Sequence, residues 1–311
     1  MSRASDGRAC AIVGAGVAGL AAGRWLQQQG WSVSLFDKGR RAGGRLASRS
    51  SDWGHFDHGS SALSATGSAL PGLLRATTAA RSLPTHSESA EAVFGCPCIN
   101  QLAQDWAAGL DLQTGVRIEV IQRQGSQWAL HRDGAAPERF DRVLVTVPAP
   151  QLAALLPGLA LPSELERIEY DPAWVLMAVP EPAALPAMPV LTPGAQPELA
   201  ALIREDLKPG ASGSPRLTVQ ASTDWSLEHL EAEPEWAAAQ LSQAAAAQLG
   251  IPDRWQHRLA HRWRYARVRR AAGVAYLPLA PGLLYASDGC LGGGGAEAAD
   301  SGLAAAQALV A

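Results

Sequence analysis

Apolar positions along this chain fall into two periods, one suited to strands and one to helices. Residues 10–13, Cys10-Ala11-Ile12-Val13, form a short continuous apolar run of the length expected for a buried strand. Leu20, Ala21, Trp25 and Leu26 then recur at helical spacing, and Gly30 stands where a helix C-cap belongs. Residues 31–36 read as a second strand, ended by Asp37. Weak helical periodicity surrounds Leu70, Leu73 and Leu74, and a helix is expected over 99–109. Alternation predicts paired strands at 116–121 and 128–131 around a Gly125-Ser126 turn, and a strand over 140–148 that stops at Pro148. Beyond a linker at 157–162, strands are expected at 174–179, 216–221 and 259–265, with an Ala-rich helix over 235–249. Residues 180–215 are so broken by proline and glycine that they read mostly as loop. The last stretch predicts a strand over 282–289 ending in an acid, a glycine turn at 292–295 and a helix over 296–309.

Gly14-Ala15-Gly16-Val17-Ala18-Gly19 fills the interval between the first strand and the first helix without a gap. That is the context in which G-x-G-x-x-G marks a dinucleotide site. The first glycine allows the tight turn, the second lets backbone approach a pyrophosphate, and the third lets helix and sheet pack closely. Asp37 lies about 20 residues further on, where a carboxylate accepts from a ribose 2′-hydroxyl. An acid there disfavours a 2′-phosphate, so the expected ligand is not NADP.

Composition narrows the classes. A length of 311 residues predicts about two domains, and 47% hydrophobic with 18% charged residues describes a globular chain. The net charge of −3 gives no reason to expect nucleic acid. Of 26 basic residues only Lys38 and Lys208 are lysines. Four scattered cysteines suit a reducing compartment, and Cys96-Pro97-Cys98 has no partner pair at metal spacing, so no metal is expected. No apolar stretch approaches the roughly 18 residues that span a bilayer. The N-terminal run reads as a strand and not as a signal peptide, so the expected location is cytoplasmic, without a membrane partner.

Arg41-Ala42-Gly43-Gly44-Arg45 resembles the R-x-G-G-R extension of the flavin-dependent amine oxidase superfamily, in which the dinucleotide is FAD. The resemblance implies an α/β fold: a Rossmann-type FAD-binding domain of glutathione-reductase type from residues 1–60, 96–160 and 270–311, and a second, α+β substrate domain from 61–95 and 161–269. It also implies that Asp57 and Gly59 pass beside the isoalloxazine ring. Expected cofactor-binding residues are then Gly14, Gly16, Val17, Ala18, Gly19, Asp37, Lys38, Gly44, Arg45, Asp57 and Gly59. From the C-terminal segment come Asp288, placed to accept from the ribityl chain, and Gly295, Ala296 and Ala298 at a helix N-terminus that suits the flavin N1/O2 edge.

Over most of its length the chain resembles the renalase family, particularly bacterial members, through Thr146-x-Pro148-Ala149-Pro150, Asp171-Pro172-x-Trp174, Trp225-Ser226, His261-Arg262-Trp263-x-Tyr265-Ala266 and Asp288-x-Cys290-Leu291-x-Gly293. This implies non-covalent FAD and oxidation of dihydronicotinamide isomers to NAD(P), with electrons passed to oxygen. Two departures bear on the substrate. Ser60-Ser61-Ala62-Leu63 stand where the family typically has Ala-Gln-Tyr, and the segment between 75 and 98 is shortened.

Hydride transfer from a dihydropyridine needs no protein base, because aromatisation drives it and the flavin supplies the electron sink. That suits a sequence in which no Ser/His/Asp arrangement, metal cluster or carboxylate pair stands out. Lys38 follows the ribose acid and Lys208 lies in the loop region, so neither fits the lysine that many amine oxidases place near flavin N5. His261, Trp263 and Tyr265 alternate and would share one strand face, either as a catalytic aromatic wall with a histidine hydrogen bond or as core aromatics. Arg254, Arg258, Arg262, Arg264, Arg267, Arg269 and Arg270 are read mostly as a solvated face, from which one or two could hold a substrate diphosphate. His58, next to Asp57, reads either as a residue that approaches the flavin or as a surface-loop histidine, and Trp174 and Trp225 read as core. The remaining alternatives are an oxidase of amines or another small organic substrate, and a flavin-binding module without catalysis.

Overall fold

A computed structural model of the chain describes residues 8–83, 92–181 and 184–311. The first apolar run becomes the strand Ala9–Val13, with Cys10, Ala11 and Ile12 wholly shielded. A strand hidden on both faces has no polar positions, which is why it appears in sequence without alternation. It lies inside a six-stranded sheet ordered Leu277–Ala280, Leu283–Tyr285, Arg142–Val145, Ala9–Val13, Ser32–Asp37, Asp111–Thr114. All neighbours are parallel except the antiparallel edge strand Leu277–Ala280. Helices Val17–Gln28, Asn100–Ala107 and Gly295–Val310 share a core with Ile12, Leu35 and Leu144 on one face. On the other, Ile121, Trp128, Leu130 and Phe140 of the antiparallel strands Val120–Gln124, Gln127–His131 and Glu138–Phe140 pack on Ala11, Val13, Val143 and Val145. The Rossmann-like α/β architecture is as expected.

A second sheet is antiparallel and five-stranded, ordered Leu191–Pro193, Leu199–Arg204, Leu217–Ala221, Glu169–Pro180, Trp255–Arg270. Strand alternation gives it two different faces. Trp174, Leu176, Ala178, Leu217 and Val219 pack on Ala237, Leu241 and Ala245 of the helix Pro234–Leu249, with Trp225 in the same core. Ala173, Val175, Gln220 and Trp263, from three of its strands, border a cavity. Among the described residues no helix is long and apolar enough to cross a membrane.

Several elements differ from the sequence reading. Residues 116–119 are not a strand, because Val116 N donates to Asp37 O at 2.9 Å and the segment is drawn along the end of the parallel sheet; pairing begins at Val120. The expected strand 140–148 is two, since Glu138–Phe140 joins the antiparallel layer and Arg142–Val145 the parallel one, with Asp141 N donating to Ala9 O at the crossover. The expected loop 180–215 contains the strands Leu191–Pro193 and Leu199–Arg204, because sheet pairing overrides the local prolines. The expected strand 282–289 ends at Tyr285, and Ser287 caps a short helix Asp288–Leu291. The excursion assigned to the substrate domain, 61–95, packs elsewhere: Leu63, Leu70, Leu73, Ala79 and Val93 join the core of the Rossmann-like layer, while residues 84–91 lie outside the described residues.

A buried ionic cluster ties the two sheets together. Lys208 Nζ lies 2.7 Å from Asp57 Oδ2 and 2.8 Å from Glu205 Oε2, with all three side chains 4% exposed or less. Asp57 Oδ1 accepts from Ser48 Oγ at 2.6 Å and Ile99 N at 3.0 Å, and Glu205 Oε1 accepts from Asp57 N at 3.3 Å. Burial alone would lower the Lys208 pKa, but the two carboxylates more than offset it and keep the ammonium charged. Nearby Arg216, also buried, donates to His55 O at 2.8 Å. Lys208 does lie in the expected loop region, directly after the short turn Glu205–Leu207, but it is buried there between two carboxylates that did not stand out as a pair in the sequence. Lys208→Met leaves two buried carboxylates without their ammonium and is expected to cost about 3–5 kcal/mol in urea unfolding. Adding Asp57→Asn should recover part of that loss, since the two residues share one interaction.

Candidate functional site

A cavity of about 1380 Å³ lies between the end of the parallel sheet and the second sheet. Its floor is the turn after Ala9–Val13. Gly14 has φ of +111°, and a Cβ there would lie 2.6 Å from Thr146 Oγ1, so the turn admits only glycine. A Cβ on Gly19 would collide with Gly14 O, which makes this third glycine a close-packing residue. Gly16 is different. It caps the helix Val17–Gln28 without a side-chain bond, and a Cβ on it would meet nothing within 4 Å. The N–H groups of that helix start therefore open on the cavity with their positive partial charge.

Asp37 fastens the turn from the side. Its Oδ2 accepts from Ala15 N and its Oδ1 from Gly39 N, both at 2.7 Å. The glycine pair that follows closes over the same turn, with Gly43 N donating to Ala15 O at 2.7 Å. Arg45 reaches on to two other segments, donating from Nη2 to Asp288 Oδ1 at 2.6 Å and from Nη1 to Ala266 O at 3.2 Å. Burial works against the Arg45 charge, and Asp288 more than compensates, raising its pKa. From the C-terminal segment, Gly294 caps the helix Gly295–Val310 without a side-chain bond. Gly293, Gly294, Gly295 and Ala298 line the cavity. Two helix N-termini thus open on one space.

The opposite wall comes from the second sheet, with Ala173, Val175, Gln220, Trp263 and Tyr265. Trp263 is held by its Nε1, which donates to His58 O at 2.7 Å, and its ring stacks on His58 at 5.7 Å and 21°. His58 in turn lies 4.9 Å from His261. Burial, then the His261 ring and the Arg49 charge, lower the His58 pKa to about 4, and burial with Arg49 lowers His261. Both rings are neutral near pH 7 and are weak proton acceptors.

Most of the sequence-predicted residues meet at this cavity: Gly14, Gly16, Val17, Ala18, Asp37, Lys38, Gly44, Arg45, Gly59, Asp288, Gly295, Ala298, Trp263 and Tyr265. Four do not line it. Asp57 is 1% exposed and its carboxylate is consumed by Ser48, Ile99 and Lys208, so it shapes the Gly59 loop from behind. Gly19 and Ala296 are buried packing positions, and His261 stands behind Trp263. His58 is a packed residue and not a surface one. Sequence reasoning did not single out Gln220 or residues 116–119 as cavity lining. Gln220 is one polar residue in a strand, and nothing local marks which way it points.

Residues 12–77 match the family model of an NAD(P)-binding Rossmann-like domain. In fold, the chain is similar to a protein provisionally assigned as a protoporphyrinogen oxidase from Exiguobacterium sp. 255-15, at 16% identity and a TM-score of 0.79 over 99% of each chain. It is also similar to wild-type putrescine oxidase bound to putrescine, at 13% identity and a TM-score of 0.70 over 97% of this chain and 99% of that one. A putrescine oxidase variant from a redesign of cofactor binding matches at 14% identity and a TM-score of 0.73, over 97% and 98%. These likenesses establish a shared two-part fold.

Because His58 titrates near 4 when folded and near 6.5 when unfolded, the unfolded chain takes up the proton first on acidification. Stability is therefore full above about pH 6.5 and falls as pH drops towards 4. The His58 share between pH 7 and pH 5 is on the order of 2 kcal/mol. Urea unfolding at the two pH values should show that much less acid sensitivity in His58→Gln; an unchanged difference would remove His58 from the account.

Proposed function

We infer that the chain is a FAD-dependent oxidoreductase acting on a small molecule at the aromatic wall. The observation that carries this reading is one continuous cavity that begins at two uncapped helix N-termini and ends against Trp263 and Tyr265. Its volume exceeds the roughly 300–1,000 Å³ of a pocket for one drug-sized ligand, which leaves room for a dinucleotide and a second molecule. The residues present fit FAD. Gly16 leaves open the place where a side chain would obstruct a pyrophosphate. Asp37 accepts one N–H on each oxygen, and a carboxylate has about four acceptor sites, so a ribose hydroxyl can still be held. Arg45, Gly294 and Gly295 would hold the remaining length.

When bound, FAD would supply an acceptor for a hydride and a route for its two electrons to oxygen. The finer reading is an oxidase of renalase type: a dihydronicotinamide, with oxygen and one proton, becomes the aromatic nicotinamide cation and hydrogen peroxide. Support comes from what the protein leaves to the substrate. His58 and His261 are neutral and poorly basic, Lys208 is committed to its two carboxylates, and Lys38 bonds Gln151 at 3.0 Å. No lysine lines the wall that carries Trp263. A substrate that aromatises on losing hydride needs no base from such a wall. Ser60 and Ser61 line the same cavity, so the departure from the family pattern falls within it. The second reading, amine oxidation, is favoured by the fold likeness to putrescine oxidase with putrescine bound.

The purified protein is expected to be yellow, and anaerobic mixing with dihydronicotinamide isomers should bleach it. A coloured protein that no isomer bleaches, but that releases peroxide with an amine, would turn the assignment to the second reading. Gly16→Val should fold, since its side chain points into open space, and yet purify with little flavin; full flavin content in that variant would mean that the dinucleotide lies elsewhere.

A further inference from the structure

The arginines of the long strand Trp255–Arg270 are not equivalent. Arg262 and Arg264 pair with Glu231 at 3.2 and 2.6 Å, and Arg269 and Arg270 pair with Glu169 at 2.8 and 3.3 Å. Arg267 has no carboxylate within ion-pair distance among the described residues. Its Nη2 donates instead to Gln220 Oε1 at 3.2 Å. Both residues line the cavity, on the wall that carries Trp263 and Tyr265. A neutral amide oxygen satisfies one N–H of a guanidinium that has five and leaves its charge unbalanced.

The surroundings amplify that charge. Six basic and three acidic residues line the cavity, in a chain whose net charge is −3. Of the acids, Asp288 is already paired with Arg45, and Asp37 already accepts two backbone N–H groups. A basic cleft in an acidic protein concentrates anions and repels cations. The diphosphate of a dinucleotide accounts for charge near the Gly16 turn, but Arg267 stands on the other wall, beside the aromatic residues.

We propose that Arg267, with Gln220, is an anion subsite for the substrate, which is a flat oxidisable ring carrying a phosphate or carboxylate. The ring lies against Trp263 and Tyr265, and the anion takes the free side of the Arg267 fork as a charge-assisted pair. Gln220 can then turn its amide N–H towards the same group. The inference rests on the oxidoreductase reading and narrows its substrate class. A diamine, cationic at both ends, is what this wall disfavours.

The test compares wild-type protein with Arg267→Gln and Arg267→Lys, in two measurements on the full chain as purified. Calorimetric binding of nicotinamide mononucleotide relative to neutral nicotinamide reads the subsite without any turnover. Anaerobic reduction by dihydronicotinamide mononucleotide, by an N-carboxymethyl analogue and by a neutral N-benzyl analogue reads it in the reaction and separates phosphate from carboxylate. The preference for the anionic member of each pair is expected to fall roughly 10- to 100-fold in Arg267→Gln, with part of it kept in Arg267→Lys. No preference in the wild type, or the same preference in Arg267→Gln, overturns the proposal. If mononucleotide binding depends on Arg267 while no donor reduces the protein, the anion subsite stands and the redox reading fails.

Discussion

The interaction on which the arrangement depends is the buried contact between Lys208 and its two carboxylates. Glu205 and Lys208 follow the strand Leu199–Arg204 of the second sheet, and Asp57 belongs to the loop that runs into Gly59, Ser60 and Ser61 on the cavity wall. An ammonium in such a place is strongly desolvated, so it persists only while both carboxylates are there. Glu205 and Lys208 are three residues apart on one segment, so the contact that spans the junction is the one from Lys208 to Asp57. Burial of Arg216 against His55 O reinforces the same junction.

Within the cavity, the two sides contribute different physics. The Rossmann-like side offers backbone, namely helix starts without side-chain caps, a turn with no side chain in the way, and a carboxylate at a strand end. Such groups bind phosphate and ribose of any dinucleotide and say little about chemistry. The second sheet offers side chains. Trp263 is fixed at its Nε1 and its ring face by the His58 loop, so the loop that the ionic cluster anchors also orients the aromatic wall. Positioning thus passes from Lys208 through Asp57 and His58 to Trp263 along hydrogen bonds and one peptide segment.

Charge is divided in the same way. The chain as a whole is acidic, but its cavity is lined with more basic than acidic groups. Histidines that could have been proton acceptors are kept neutral by burial and by Arg49. The wall that carries Trp263 thus combines aromatic faces and positive charge with histidines that are poor proton acceptors.

The periodicity of residues 10–37 was enough to identify the first strand, the glycine turn, the helix and the acid, because each is specified by contacts close in sequence. The C-terminal glycines and helix were readable for the same reason, and the aromatic alternation of Trp263 and Tyr265 correctly placed them on one face. Tertiary structure alone decided the rest. Leu199–Arg204 is a strand because Leu217–Ala221 lies beside it, although prolines and glycines break the sequence on both of its flanks. Asp57 and Lys208 are 151 positions apart, and neither residue carries any local mark that the other will neutralise it. That Arg267 donates to Gln220, while Arg262, Arg264, Arg269 and Arg270 meet carboxylates, is visible only in the folded chain. Local pattern determines elements, since backbone hydrogen bonding and side-chain period are short-range. Which charges end up buried, paired or free is a property of long-range packing, and only the folded chain reveals it.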